Sequence, residues 1–322
     1  MKKFTLAFSL TLVVCVLLVS GCSVLATRPT PAPLPTFTPL SLTPTPISTF
    51  TDDAGRVVQI AGSVERIVSL SPSNTEILFA LGLGDRVVGV TDFCDYPPEA
   101  ASIEKIGGIE PNLEKILALE PDLVLAIGGS RQLETVAKLK ELGLKVLVLA
   151  PTDLEGIYHD IQLVADACGV PEAGAALVQE MQTRVQSVLD TVASTNTRPK
   201  IFYELDATDP NRPWTPGPGT WHDKFISMAG GVNIAANAEA AWAQYSSEDI
   251  IAQNPDVILL GDALWGISPE MVAARPGWDA ITAVRNGAVY PIDDNLISRP
   301  GPRVVQGLET LARLIHPEVF PQ

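Results

Sequence analysis

Short apolar runs alternate with amphipathic segments of helical length along most of this 322-residue chain. The apolar runs lie at 66–70, 86–90, 123–127, 145–149, 200–205, 256–261 and 288–292. The amphipathic segments between and after them lie at 73–83, 131–142, 153–168, 221–229 and 303–315. Strand-length runs separated by helices are typical of parallel sheets with helices packed on them. The pattern therefore predicts an α/β protein with two Rossmann-like lobes and mostly parallel sheets.

One long stretch in the middle of the chain carries no strand pattern. From Pro171 onward, apolar residues recur at spacings of three and four, as on one face of a helix. About 25 residues at 1.5 Å each make a rod of roughly 37 Å, long enough to cross a domain. We therefore predict a connecting helix at 171–196 that joins an N-terminal lobe at 50–170 to a C-terminal lobe at 197–322.

The N-terminus has the features of an export signal. Two lysines precede an apolar stretch that ends in Val19-Ser20-Gly21-Cys22, which resembles a bacterial lipobox. We predict a lipoprotein signal peptide at 1–21 and lipidation of Cys22. The segment that follows is rich in Pro and Thr, and such a composition favours an extended tether, here predicted for 22–49.

The charge and the cysteines narrow the class of protein. Loss of Lys2 and Lys3 with the signal leaves 20 basic and 37 acidic residues, a net charge of −17. Such an acidic body is a poor partner for nucleic acid or for an anionic membrane surface. Cys94 and Cys168 remain in the body, and export would permit a disulfide between them. Two cysteines make no framework, however, and we predict two separate buried thiols.

The chain lacks the motifs expected of an enzyme. It has three histidines, His159, His222 and His316, which are widely spaced along the chain. HExxH, CxxC, GxSxG and the phosphate-binding GxxxxGK[ST] pattern do not occur. We therefore predict no catalytic residues and no metal held by protein ligands alone. His222, beside Trp221, is a candidate ligand for a metal carried within a larger ligand.

All five tryptophans lie in the C-terminal half, several beside Pro or Gly. The segment RPWTPGPGTW at 212–221 has too many breaking residues for a regular core element and predicts a loop. Aromatic side chains on such a loop can wall a site for a large, flat ligand. We assign Trp214 and Trp242 to such a site, and predict that Trp265 and Trp278 only pack.

A short sequence occurs twice. NLEKILALEPDLVL at 112–125 and SSEDIIAQNPDVIL at 246–259 are 134 residues apart and share six of fourteen positions. Each copy predicts a short helix, a Pro-Asp turn and a buried strand, and each carries a Glu at its third position, Glu114 and Glu248. The repeat indicates two lobes built on one plan.

Several spaced motifs, in order, resemble one family. RIVSLSPSNTEILFALGLGDRVVGVTDFCDYPPEA (66–100), PNLEKILALEPDLV and GPRVVQGLETL are similar to ABC-importer binding proteins for cobalamin, ferric siderophores and haem. SLSPSNTE with DYPPEA is most similar to the cobalamin-binding member. The resemblance spans residue 50 to the C-terminus and implies two lobes on one long helix, with the ligand between them. It also implies that Glu114 and Glu248 dock onto arginines of a two-fold symmetric permease.

The same resemblance suggests the ligand-binding residues. Phe93, Trp214 and Trp242 match aromatic pocket positions of the cobalamin binder, Tyr96 lies in the same DYPP motif, and Arg299 is a candidate polar contact. Two other pocket positions depart from the pattern: where tryptophans are expected, this chain has Ile127 and either Gly108 or Ile109. A ferric siderophore or haem therefore remains an alternative, and Arg131, Arg212 and Arg299 are the arginines that could serve an anionic chelate.

Together these features predict a non-enzymatic, extracytoplasmic lipoprotein anchored to the cell membrane. It would bind a cobalamin-like corrinoid between its lobes and deliver it to an ABC permease dimer with its ATPase. The prediction includes a monomer with no cofactor of its own, which touches the membrane through the lipid anchor only. The alternatives are a ferric-siderophore or haem carrier of the same class, and a sensor or adhesion lipoprotein on the same fold.

Overall fold

The computed structural model describes residues 47–320, apart from the side chains of Ser130 and Arg131. Its first element is an antiparallel pair, β1 (Ile47–Thr51) and β2 (Val57–Ala61). The predicted tether therefore extends too far, because residues 47–49 belong to β1. Alternating Ile, Phe and Val give these residues a strand pattern that the Pro/Thr composition before them hides. The predicted signal peptide, Cys22 and the rest of the tether lie outside the described residues.

The N-terminal lobe is a four-stranded parallel sheet, in the order β4–β3–β5–β6. Its strands are β3 (Ile67–Ser69), β4 (Val87–Val90), β5 (Leu123–Ile127) and β6 (Val146–Leu149). Its helices are α1 (Pro72–Ala80), α2 (Leu113–Ala118), α3 (Ser130–Glu141) and α4 (Leu154–Ala167). Strands β3 and β6 are buried along their whole length, as expected for a parallel sheet covered on both faces.

The C-terminal lobe repeats this plan with a parallel sheet in the order β12–β11–β7–β9. Its strands are β7 (Lys200–Glu204), β9 (Val232–Asn233), β11 (Val257–Leu260) and β12 (Val289–Pro291). Its helices are α6 (Trp221–Met228), α7 (Ser247–Gln253), α8 (Pro269–Ala273), α9 (Thr282–Arg285), α10 (Asn295–Ser298) and α11 (Val304–Ile315). The predicted α/β fold with two lobes and parallel sheets is confirmed.

A separate two-stranded ribbon projects from this lobe. Strands β8 (Trp214–Pro216) and β10 (Trp242–Gln244) pair in antiparallel fashion. The sequence predicted a loop here, because Pro and Gly interrupt every regular pattern in the segment. Gly217 shows why the loop prediction failed: a Cβ there would lie 2.5 Å from the carbonyl oxygen of Ala240, so a glycine lets the two strands approach.

Helix α5 (Pro171–Ala193) joins the two lobes, within the predicted range of 171–196. Its buried residues Met181, Val185, Val188 and Val192 recur at spacings of three and four. The helix packs against α4 of the first lobe and α11 of the second. Arg184 fixes the second contact, since it donates two hydrogen bonds of 2.9 Å to the carboxylate of Glu309 on α11. One hydrophobic core thus continues from lobe to lobe through α5.

The two cysteines of the body are separate and buried, as predicted. The thiol of Cys94 lies 3.2 Å from the hydroxyl groups of Thr75 and Thr91. Burial raises the pKa of Cys168 to about 12, so this thiol is inert at neutral pH. No helix within residues 47–320 combines the length and the apolar character needed to cross a membrane.

Candidate functional site

A cavity of about 380 Å³ lies between the lobes. Residues of three segments that follow strands of the first sheet line it, at 71–74 after β3, 127–129 at the end of β5, and 149–151 at the end of β6. Residues 298–300, which lead out of α10, close it from the second lobe. Ligands of open α/β sheets bind outside the carboxyl ends of the strands, and this cavity has that position.

Ile127 and Arg299 are the residues of this cavity that the sequence singled out. Ile127 stands where the resemblance leads one to expect a tryptophan. An isoleucine leaves open space that an indole ring would fill, so the substitution enlarges this end of the cleft. The departure from the family pattern therefore changes the shape of the site without removing it.

The four predicted aromatic contacts are unusually exposed for their size. Between 40% and 52% of Phe93, Tyr96, Trp214 and Trp242 is accessible to solvent. Phe93 follows β4 and lies against Gly108, where an added Cβ would be 3.4 Å from its ring. A Cβ at that distance makes ordinary van der Waals contact, so a side chain at position 108 would begin beside the Phe93 ring.

The ribbon brings Trp214 and Trp242 together on one face. Trp242 is the partner of Pro216 in the register, and Trp214 lies two residues before Pro216 on the same strand. Because residues i and i+2 of a strand point to the same side, both tryptophans project from one face as diagonal neighbours. The backbone NH of Leu205, at the end of β7, donates to the carbonyl oxygen of Trp214 and holds the ribbon beside the second sheet.

A buried polar cluster packs against Trp242 through the ring of His222. The ring of His222 lies 5.8 Å from that of Trp242, edge to face, and its Nε2 is 2.8 Å from the Asp294 carboxylate. The hydroxyl of Tyr203 donates to the same carboxylate over 2.7 Å. Burial opposes ionisation of Asp294, but the bonds from His222 and Tyr203 hold its pKa below the usual value. His222 is buried in this cluster, where it positions Trp242. It is not exposed to a metal ion carried within a ligand.

A second network crosses between the lobes through Arg299 and Arg303. The buried carboxylate of Glu76, on α1, accepts hydrogen bonds of 2.9 and 2.5 Å from Arg303 of the C-terminal lobe. Arg299 binds Asp95 at 2.5 Å and Glu76 at 3.4 Å. These carboxylates neutralise Arg299, so an anionic ligand would have to displace Asp95 to reach it.

Tyr96 packs against Arg303 of this network and does not line the cavity. The guanidinium carbon of Arg303 lies 3.9 Å from the centre of the Tyr96 ring. Tyr96 lines a neighbouring groove of about 520 Å³ together with Leu177 and Met181 of α5. Of the predicted ligand residues, Arg299 lines the cavity, whereas Tyr96 lines this groove.

Two further tryptophans, Trp265 and Trp278, differ in environment. Trp278 is fully buried, packs against the ring of Phe202 at 6.2 Å, and has the guanidinium of Arg275 over its face. It is a core residue, in line with the packing role predicted for it. Trp265 is 86% exposed and lines a shallow groove with Ala207 and Asp262. An indole this exposed packs against little, so the packing role predicted for Trp265 is wrong.

The repeated sequence forms the same structure in both lobes. Glu114 and Glu248 are each the second residue of a short helix, α2 and α7, and both are exposed. Asn112 and Ser246 cap these helices by accepting a hydrogen bond from the backbone NH of the third helical residue.

The similarity continues through the turn after each helix. Glu120 and Asn254 have left-handed backbone conformations, with φ of 45° and 48°. The side chains of Asp122 and Asp256 then accept hydrogen bonds from the backbone at the start of the neighbouring strand, at Arg66 and Lys200. The two glutamates are therefore equivalent positions of two lobes with one plan.

The fold and the cleft are those of a periplasmic binding protein. The family described as "Periplasmic binding protein" matches residues 67–296, and the chain belongs to it. Proteins of this family carry small-molecule ligands to ABC importers and are not enzymes. The chain is therefore the extracytoplasmic substrate-binding component of such an importer, as the sequence motifs predicted.

Three known proteins show the relationship in detail. An uncharacterised ABC transporter substrate-binding lipoprotein of Bacillus subtilis is 35% identical over 279 residues, covering 85% of this chain and 87% of the relative. The periplasmic vitamin B12-binding protein of Vibrio cholerae superposes with a TM-score of 0.67 and 31% identity, covering 80% and 99% of the two chains. A periplasmic haem-binding protein of Roseiflexus gives a TM-score of 0.71 and 32% identity, covering 80% and 100%.

Proposed function

We propose that the protein binds a corrinoid between its lobes and delivers it to an ABC permease. The indole rings of Trp214 and Trp242 carry this proposal, because two exposed aromatic side chains on one face of a ribbon suit a large, flat ligand. Phe93 supplies a third exposed ring at the carboxyl end of the first sheet. The similarity to the vitamin B12-binding protein of Vibrio cholerae supports the same ligand class.

The electrostatics of the cleft favour a ligand with little net charge. Arg299 lines the cavity and is already paired with Asp95 and Glu76. Breaking charge-assisted hydrogen bonds of this kind costs about 1.5–3 kcal/mol each. An anionic ferric chelate would have to offset this cost, whereas the polar groups of Ser71, Ser73 and Asn74 can serve neutral hydrogen-bonding groups of a ligand.

Haem is the second candidate ligand. The similarity to the haem-binding protein of Roseiflexus supports it. The smaller Ile127 and Gly108 also give a cleft that departs from the aromatic pattern of the cobalamin binder. Haem carries two carboxylates, and the proposal of a haem ligand would require Arg299 to exchange Asp95 for one of them.

Trp214→Ala should weaken cobalamin binding about 30-fold, which corresponds to about 2 kcal/mol, the scale of an aromatic anchor in an interface. Titration of the purified full chain in detergent, followed by tryptophan fluorescence and visible absorbance, would measure this change. Cobalamin, haem and a panel of ferric siderophores would be added separately. Trp214→Phe should retain most of the affinity, because a phenyl ring still stacks.

Leu133→Ala is the matched control, since Leu133 is an exposed apolar residue on α3 outside the cleft. It should bind cobalamin like the unchanged chain. Saturation by haem alone, with Trp214→Ala still affecting it, would replace the corrinoid by the second candidate. Equal cobalamin affinity in Trp214→Ala and the unchanged chain would contradict the role of the tryptophan pair.

We also propose that a lipid on Cys22 holds the protein at the membrane, as the lipobox and the lipoprotein of Bacillus subtilis suggest. Cys22→Ser should move the protein from the membrane fraction to the soluble fraction of the cell, because a lipid chain is then absent. Fractionation followed by immunoblotting would measure the shift. Cys15→Ser, in the predicted signal, should leave the distribution unchanged, and a membrane-bound Cys22→Ser chain would contradict the anchor.

A further inference from the structure

Three side chains with metal-binding groups meet on the outer side of the N-terminal lobe. They are Asp53, in the turn that follows β1, and the neighbouring residues His159 and Asp160 on α4. One oxygen or nitrogen of each lies within 4.8 Å of those of the other two. The cluster is distinct from the cleft, although the backbone NH of Ala150, a cleft residue, donates to the Asp53 carboxylate over 2.6 Å.

Asp160 is the residue that makes this cluster unusual. It is 1% exposed, and neither carboxylate oxygen has a hydrogen-bond partner among the described residues. A buried carboxylate without a partner is costly, because it loses its hydration and gains nothing in return.

Two other buried carboxylates of the protein, those of Glu76 and Glu204, meet a cation. Glu76 binds Arg303, and Glu204 accepts two hydrogen bonds, of 2.5 and 2.8 Å, from Arg275. At the position where an arginine would be expected, Asp160 has a second carboxylate and an imidazole. When both are ionised, the two carboxylates repel one another, and no Arg or Lys side chain of the described residues pairs with Asp160.

We propose that Asp53, His159 and Asp160 bind a divalent transition-metal ion. One imidazole nitrogen and two carboxylate oxygens form a three-ligand set of the kind that binds Zn²⁺, with water completing the shell. Ca²⁺ and Mg²⁺ prefer six or more oxygen ligands and do not favour imidazole. Asp53 and His159 are exposed, so small rotations of their side chains can bring their atoms to the usual Zn²⁺ distances of about 2.0–2.2 Å.

The surroundings orient the exposed ligand Asp53. Its side chain accepts the hydrogen bond from Ala150, and its backbone NH donates to the carbonyl oxygen of Val148 over 3.1 Å. Such outer contacts fix the direction of a ligating carboxylate. A bound ion would therefore link the turn after β1 and the end of β6 to helix α4. It would fasten β1 to the parallel sheet of the N-terminal lobe.

The test is a titration of the metal-free full chain in detergent, purified without a histidine tag and dialysed against EDTA. Calorimetry with Zn²⁺ should give one ion per chain, and Co²⁺ should give visible absorbance bands typical of a nitrogen–oxygen ligand set. Zn²⁺ should also raise the melting temperature. His222 and His316 are buried and inaccessible to an added metal ion. A nitrogen ligand in the Co²⁺ spectrum can therefore be assigned to His159.

Asp160→Asn and His159→Gln should each weaken Zn²⁺ binding at least about 100-fold. This loss exceeds the typical effect of replacing a residue that only hydrogen-bonds to a metal ligand. Asp166→Asn is the matched control, because Asp166 lies on the same helix and its exposed carboxylate accepts a hydrogen bond from the side chain of Gln162. It should bind Zn²⁺ like the unchanged chain. Circular dichroism of each variant would verify the fold.

Three results would overturn the proposal. The first is no saturable uptake of Zn²⁺ or Co²⁺. The second is uptake that Asp160→Asn leaves unchanged. The third is equal affinity for Ca²⁺ and Zn²⁺. Absence of metal binding together with a higher melting temperature of Asp160→Asn would instead show that Asp53 and Asp160 share a proton.

Discussion

Arg303→Met should lower the free energy of unfolding by about 3–5 kcal/mol, the cost of removing one partner of a buried ion pair. The Glu76 carboxylate would remain buried with only the 3.4 Å contact from Arg299. The Tyr96 ring would also lose the guanidinium that lies over it. Urea denaturation followed by circular dichroism would measure the change, since the midpoint falls in proportion to the lost stability when the slope is constant.

A double variant separates the loss of the pair from the loss of packing. Glu76→Leu together with Arg303→Met replaces both charges by apolar groups, and buried pairs replaced in this way often lose little stability. The double variant should therefore be more stable than Arg303→Met alone. Lys115→Met breaks the exposed Lys115–Glu104 pair and is the control, with an expected loss below about 1 kcal/mol. An equally small loss in Arg303→Met would show that the inter-lobe pair contributes little.

Replacing Glu114 and Glu248 together by arginine should abolish uptake of the ligand while its binding persists. We propose that each glutamate pairs with a basic side chain of a two-fold symmetric permease, because the protein presents one carboxylate from the equivalent turn of each lobe. Each charge-assisted pair contributes about 1.5–3 kcal/mol, and reversal adds repulsion. Loss of both pairs therefore reduces permease affinity by more than about 100-fold. Uptake of labelled ligand by cells would measure transport. Fluorescence titration of the purified variant would measure ligand binding.

Glu172→Arg provides the matched control for this charge reversal. Glu172 is also exposed and is the second residue of its helix, α5, so its replacement has the same effect on a helix dipole. Uptake should be normal in this variant, and each single replacement of Glu114 or Glu248 should give an intermediate rate. Normal uptake in the Glu114/Glu248 double variant would contradict docking through these residues and would favour a sensor or adhesion role for the protein.

The features predicted well from the sequence are those that local patterns determine. Strands such as Leu123–Ile127 are runs of apolar residues between turn signals, and α5 has a continuous 3.6-residue period. The internal repeat identified two equivalent lobes, because both copies must form the same helix, turn and strand. The structure adds that Glu120 and Asn254 share a left-handed conformation, which two such different residue types do not reveal.

The features that the sequence did not predict depend on contacts between distant residues. The ribbon of β8 and β10 lies in a segment whose Pro and Gly residues hide its strand pattern. Arg303 and Glu76 are 227 residues apart, and the pair redirects Tyr96 toward a different groove. The cluster of Asp53, His159 and Asp160 joins a turn to a helix more than 100 residues later, without a recognisable spacing.

The shared core around α5 links the ligand to the lifetime of the protein. Since one hydrophobic core includes Leu147 of the first lobe, Val188 of α5 and Leu259 of the second, neither lobe can unfold without exposing the other. By mass action, a ligand at a hundred times its Kd adds about 2.7 kcal/mol of stability. That gain lowers the population of globally unfolded chains, which are the chains that proteases cleave most readily. A carrier loaded with ligand therefore outlasts an empty one, and the supply of ligand helps to set how many carriers persist at the cell surface.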